Sequence, residues 1–167
     1  MAIDQATALI FLPFALAIGI WVAWSDMKFM KIPNNAVYAL FGVFVVVGLV
    51  ALPFNEYLWR YVHFAVVLAA GFVANMLRLM GAGDAKYLAA MAPYFDASDA
   101  LGLVQVFAAV LLAAFATHRI FRAIPAMQRA FPDWQSWAHP KFPMGLALSG
   151  SLILYLVLGA LLGGQAG

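Results

Sequence analysis

The chain contains no cysteine, which excludes disulfide staples, thiolate zinc sites and cysteine nucleophiles together and leaves the redox compartment undetermined. Charge is scarce as well: charged residues make up 10% of the 167, against 66% hydrophobic residues. With a mean hydropathy of +0.95, there is too little polar surface for a soluble globule. No polar block is long enough to build a separate core, so residues 1–167 read as a single integral-membrane domain. Of the three histidines, His63, His118 and His139, none is linked to another by HExxH or comparable spacing, which argues against a metal and against zinc proteolysis. Ser149 and Ser151 open an apolar run with no partnered histidine at a predictable distance, which argues against serine chemistry.

What is abundant is apolar sequence in runs. A hydrocarbon core about 30 Å thick takes roughly 20 apolar residues per helix, and six runs lie between charge clusters: Ala6 to Trp24, Ala36 to Leu52, Leu58 to Met80, Ala85 to Phe95, Ala100 to His118 and Gly145 to Leu162. The expected fold is all-α, a polytopic membrane protein of six transmembrane helices. The fourth run is too short to span unaided and is expected to begin within the GAGD turn or to tilt. The first is expected to stay in the mature protein, since Met1 to Gln5 holds Asp4 and no basic residue, and the apolar run leads into "WSDMKFMKIPN" without a small-residue cleavage site.

Basic residues orient this arrangement. Lys28, Lys31, Arg78, Lys86, Arg119, Arg122, Arg129 and Lys141 all fall in the three connections on one side, whereas the other side has only Arg60, with Asp4, Glu56, Asp96 and Asp99. The positive-inside rule predicts that both termini lie outside and that the three basic connections face the cytoplasm.

The basic side also collects two unusual acids. Asp26 follows the first run in "SDMKFMKIPNN", and Asp84 follows the third in "GAGD", so alternating topology brings two distant carboxylates to one membrane depth. Acids at such a boundary are costly unless they face the bundle interior, a wet cavity or a partner. Snorkelling or local pairing, Asp26 with Lys28 or Lys31 and Asp84 with Lys86, is the plain structural alternative. Gly81 and Gly83 allow positive φ and close backbone approach, so the third helix is expected to stop abruptly and present Asp84 at a turn. Pro33 biases Ile32 away from helix, and Asn34 or Asn35 is a candidate cap for the second span. Two carboxylates converging on one water can divide the work: one takes its proton while the other, protonated, donates to a peptide carbonyl oxygen. Lys86, depending on where its ammonium points, favours the charged form of Asp84.

An aspartate followed by "KIPN" and then "GAGDAK" at the same face of a six-run chain resembles the type IV prepilin leader peptidases, the GxGD class of membrane aspartic peptidases. "KFPMG", Lys141 to Gly145, also looks like the proline-glycine entry to that family's last helix. The resemblance implies an aspartic endopeptidase of the bacterial inner membrane that removes a short basic leader from a prepilin-like substrate at the cytoplasmic face. The catalytic pair falls on Asp26 and Asp84, with Gly81, Gly83, Lys86, Lys31, Ile32, Pro33 and Asn34 as motif support or substrate contacts. The absence of cysteine and of room for an extra cytoplasmic region makes the chain similar to the short, peptidase-only members of Flp-type, tight-adherence pilus systems. No cofactor and no nucleic acid is expected, and the lipid bilayer is the other partner.

A transporter or proton-conducting subunit remains an alternative, because intramembrane carboxylates and broken helices also build ion pathways; a noncatalytic secretion-system scaffold is another. Among the remaining polar residues, His63 reads as a hydrogen-bonded interior or wet-face residue, and Asn75 as interhelical glue. The 119–143 connection reads as short amphipathic pieces in the inner interface with Trp134 and Trp137 at headgroup level, or as a movable flap near the aspartates.

Overall fold

The computed structural model describes residues 1–164, which are all-helical with no strand among them. The helices are α1 (Gln5–Phe29), α2 (Asn34–Ala51), α3 (Phe54–Met76), α4 (Ala82–Met91), α5 (Ala100–Ala123), α6 (Pro125–Ala130) and α7 (Met144–Leu162). Five of them, α1, α2, α3, α5 and α7, are long and apolar enough to cross a bilayer. The fourth expected span is instead the ten-residue α4, about 15 Å of helix at 1.5 Å per residue, ended by a 3₁₀ turn at Ala92–Tyr94 that carries Pro93. It does begin inside the GAGD turn.

The centre of the bundle is the pairing of α1 with α7. Small residues let the two backbones close up. A methyl group added at Gly159 would lie 2.6 Å from Ile3 and 3.0 Å from Ala8, and one at Gly19 would lie 2.9 Å from Ile153. Around that seam a core forms from Phe11, Leu40, Phe44, Tyr94, Leu152 and Tyr155. Helix α4 is set against α3 by Gly71, where a Cβ would meet that of Ala85 at 3.0 Å. Helix α5 rests on α7 and is otherwise open: His118, near its end, is its one buried residue.

Both ends of the described residues gather at one end of the bundle. The Gln5 amide donates to the Gly164 carbonyl at 3.2 Å, the Ala2 amide to the Asp99 carboxylate at 2.8 Å, and the Thr7 hydroxyl to the Ala51 carbonyl at 2.7 Å. A buried guanidinium organises the same end. Arg60 donates to the Phe95 carbonyl and pairs with Glu56, and it reaches Asp96 at 3.1 Å. This clamp ties the start of α3 to the exit of α4, so α4 and its following turn connect the two ends of the bundle despite the short helix.

Candidate active site

The opposite end is built from helix termini. Helix α1 runs on past Trp24 to Phe29, so Asp26 is a residue of its last turn and not of the connection that follows. Met30 ends the helix in the left-handed region (φ 51°), with its amide on the Asp26 carbonyl. The Ser25 hydroxyl donates to the Lys31 carbonyl at 3.0 Å and folds the chain back. Pro33 then precedes α2, whose first residue is Asn34. Neither Asn34 nor Asn35 supplies the expected side-chain cap.

A carboxylate in the last turn of a helix faces the negative end of its own dipole. Asp26 is nevertheless 5% exposed. What holds it there comes from the far end of the sequence: the Gly145 amide, at the start of α7, donates to Asp26 Oδ2 at 2.6 Å. The positive end of α7 thereby offsets the negative end of α1. Any side chain at Gly145 would force a shift, because a Cβ there would lie 2.9 Å from both the Cβ and the Oδ2 of Asp26.

Asp84 is held differently. Gly81 occupies the position before α4 and Asp84 is the third residue of the helix. This is the site from which a side chain reaches back to the open amide at the helix start, and the Gly81 amide pairs with the Asp84 carboxylate. Gly81 is needed for room and not for positive φ: a Cβ there would sit 2.7 Å from Asp84 Oδ2, while φ is −68°. No glycine among the described residues has positive φ; the left-handed residue after α3 is Arg78, at 59°. Helix α3 stops at Met76, earlier than expected, and Asn75 closes the turn by donating to the Met80 carbonyl at 2.9 Å rather than bridging helices. Gly83 makes only ordinary contact, with a notional Cβ 3.5 Å from Ile32. Burial pushes the half-buried Asp84 carboxyl above its usual range, partly offset by the Gly81 amide and by the charge of Lys141. Lys86 turns instead toward Asn34 Oδ1, at 3.5 Å.

The two aspartates line one cavity of about 1340 Å³, and Asp84 lies within electrostatic reach of Asp26. Lys31, Ile32, Asn34, Gly81, Gly83 and Lys86 line the same cavity; Pro33 stands beside it as the hinge into α2. From the aspartates the cavity continues along Leu88, Met91 and Phe95 on one wall, with Leu103 and Phe107 of α5 and Leu148 of α7 on the other. It thus joins a polar, carboxylate-bearing end to a long apolar trough beside the exposed helix α5. No group of three or more potential metal-ligating side chains occurs among the described residues.

Beyond α5, Trp137 is buried within the fold. It stacks on His118, with ring centroids 5.5 Å apart, and Trp134 stacks on Trp137 at 5.3 Å. Pro125 starts the short helix α6. The parts that residue-type reasoning missed are Gly145 and Lys141. The only signal for them was the proline and glycine of KFPMG at the entry to an apolar run.

Helices long and apolar enough to cross a bilayer, broken at one end to turn two acids into a shared cavity, define a polytopic membrane protein with a two-carboxylate candidate site. The family model for the type IV leader peptidase family matches residues 11–118, a stretch that includes Asp26 and Asp84. The chain belongs to that family and is a membrane peptidase of it. No curated protein and no solved structure matches the chain.

Proposed function

We propose that this protein is an aspartic endopeptidase that removes the short basic leader from prepilin-like precursors, of Flp type, at the cytoplasmic face of the bacterial inner membrane. Asp26 and Asp84 activate one water between them: the ionised member takes its proton, and the protonated member donates to the scissile carbonyl oxygen. The observation that carries this reading is that both carboxylates line a single cavity from helix ends remote in sequence. The raised Asp84 carboxyl favours the singly protonated pair this chemistry needs. The whole of residues 1–167 acts as one peptidase domain, its basic end in the cytoplasm and both termini outside.

Leader recognition cannot rest on bulk charge, because Lys31, Arg78, Lys86 and Lys141 surround the two acids in the same cavity. The substrate's apolar helix lies along the trough between α4 and α5. Its leader crosses the helix breaks in extended form, with Ile32, Pro33 and Asn34 on one side and Gly81 and Gly83 on the other. The test is coexpression with a candidate precursor, reading the size shift. Wild type cleaves, and Asp26→Asn and Asp84→Asn each abolish cleavage. A conducting subunit would lose ion flux on the same changes without any cleavage by wild type, and a scaffold would tolerate both; either result overturns the proposal.

A further inference from the structure

The candidate site carries more positive charge than its two acids can balance. Lys31, Arg78, Lys86 and Lys141 all line the cavity that holds Asp26 and Asp84, and all four are exposed. The ion pairs among the described residues are those of Arg60, at the other end of the bundle, so none of these four cations is paired. Even with both carboxylates ionised, the cations outnumber them by two. A basic leader would add to that excess. From this mouth the same cavity runs between apolar walls, Leu88 and Met91 of α4 facing Leu103 and Phe107 of α5. Val104 lines it too and is 64% exposed, so the trough opens to the outside of the bundle, where a bilayer presents acyl chains. Apolar cavities do not hold water well. At about 1340 Å³ the space also exceeds the roughly 300–1,000 Å³ of sites for small ligands.

We infer that, in the absence of substrate, this cavity binds one anionic phospholipid, its phosphate at the cationic mouth and its acyl chains in the trough. The phosphate diester supplies the missing negative charge, as headgroups do in basic pockets between membrane helices, and Lys and Arg are both phosphate partners. The chains supply the apolar matter. A zwitterionic lipid would bring a further cation to a mouth already in excess, and inorganic phosphate would leave the trough bare, so neither matches both ends of the cavity. Lipid and substrate helix exclude each other from the trough, and in that respect alone the inference rests on the proposed peptidase reading. A precursor must therefore displace the lipid to reach the aspartates.

The experiment is native mass spectrometry of the full-length protein released from detergent micelles into which phosphatidylglycerol or phosphatidylcholine is titrated. Wild type retains one phosphatidylglycerol per chain and no phosphatidylcholine. Arg78→Gln combined with Lys141→Gln weakens retention roughly 25-fold, about fivefold for each charge near a membrane surface. Lys31 and Lys86 are left in place because the proposed leader path passes them. Arg78→Lys combined with Lys141→Arg keeps the lipid, and thermal unfolding of each variant checks its fold. The charge-matched control is Lys28→Gln combined with Arg119→Gln. Those two cations lie over the Trp24 and Phe115 rings, 5.3 Å and 5.0 Å from the centroids, and neither lines the cavity; their loss leaves retention unchanged. Excess inorganic phosphate leaves the lipid in place. With the Asp84→Asn protein, the complex with a precursor carries no lipid. Equal retention of phosphatidylcholine, equal weakening by the control pair, displacement by phosphate alone, a bare chain or bare dimer, or a complex holding precursor and lipid together each overturns the inference. Cleavage by Asp84→Asn overturns the reading of the catalytic pair and leaves the lipid site standing.

Discussion

Adding one methyl group at Gly145 is the sharpest perturbation the structure offers. The new Cβ would lie 2.9 Å from Asp26 Cβ, 2.9 Å from Oδ2 and 3.1 Å from Cγ, whereas carbon atoms pack at about 3.5–4.0 Å. Something must give by roughly 0.5–1 Å. The obstacle is the stem of a buried side chain in the last turn of α1, so it is the carboxylate that retreats or α7 that backs away. Either motion stretches the 2.6 Å hydrogen bond from the Gly145 amide. A misplacement of about 1 Å in a reacting group costs on the order of 100-fold in rate, or about 2.7 kcal/mol of barrier. Overpacking adds roughly 1–3 kcal/mol of destabilisation, which a well-inserted bundle survives. The assay is the initial rate of precursor cleavage by purified Gly145→Ala, with thermal unfolding in the same detergent as the check on folding. Gly42→Ala is the control, because a Cβ at Gly42 meets nothing within 4 Å; it cleaves at the wild-type rate. A folded Gly145→Ala protein with a rate within about twofold of wild type would refute the claim that this amide positions Asp26.

Two further outcomes concern stability. Burial raises the Asp84 carboxyl above its usual 3.8, so the folded state binds more protons than the unfolded state between the ordinary and the raised value, and stability falls as pH rises through that window. Asp84→Asn should therefore unfold at a higher temperature than wild type at neutral pH, with the difference vanishing below about pH 4; equal or lower stability at neutral pH would contradict the burial of this carboxyl. At the other end, Arg60→Met removes the partner of Glu56, of Asp96 and of the Phe95 and Pro93 carbonyls; since both carboxylates keep access to solvent, it should cost about 1–3 kcal/mol, the range for buried polar groups left unpaired, measured by denaturant unfolding in mixed micelles.

Much of the arrangement was legible in residue order because its causes are local. Runs of apolar residues between charge clusters mark helices, and Asp4 before Gln5 caps α1 in the usual way, taking the Thr7 amide at 3.1 Å. The basic residues other than Arg60 do fall in the connections and helix ends around the aspartates. The fourth run was marked as too short, and it is short. Where the reading failed, the failure was one of mechanism at a correctly chosen position. Gly81 matters because Asp84 folds back over it, not because the chain turns left-handed there. Trp137 packs on His118, a partner that composition could not reveal.

By itself, then, the sequence determined that this is a helical membrane protein, which end is basic, and which two aspartates stand at helix ends near each other. Those follow from desolvation of charge and from backbone hydrogen bonding, both of which act on neighbours along the chain. The tertiary structure alone decided that Asp26 belongs to the helix and is anchored by α7, that Lys141, from far along the chain, lines one cavity with Asp84, and that the polar end opens into an apolar trough. Those depend on which helices pack together. Close packing is settled by the fit of small residues such as Gly19, Gly71 and Gly159 against partners brought from elsewhere in the chain, and no run of sequence encodes that fit on its own.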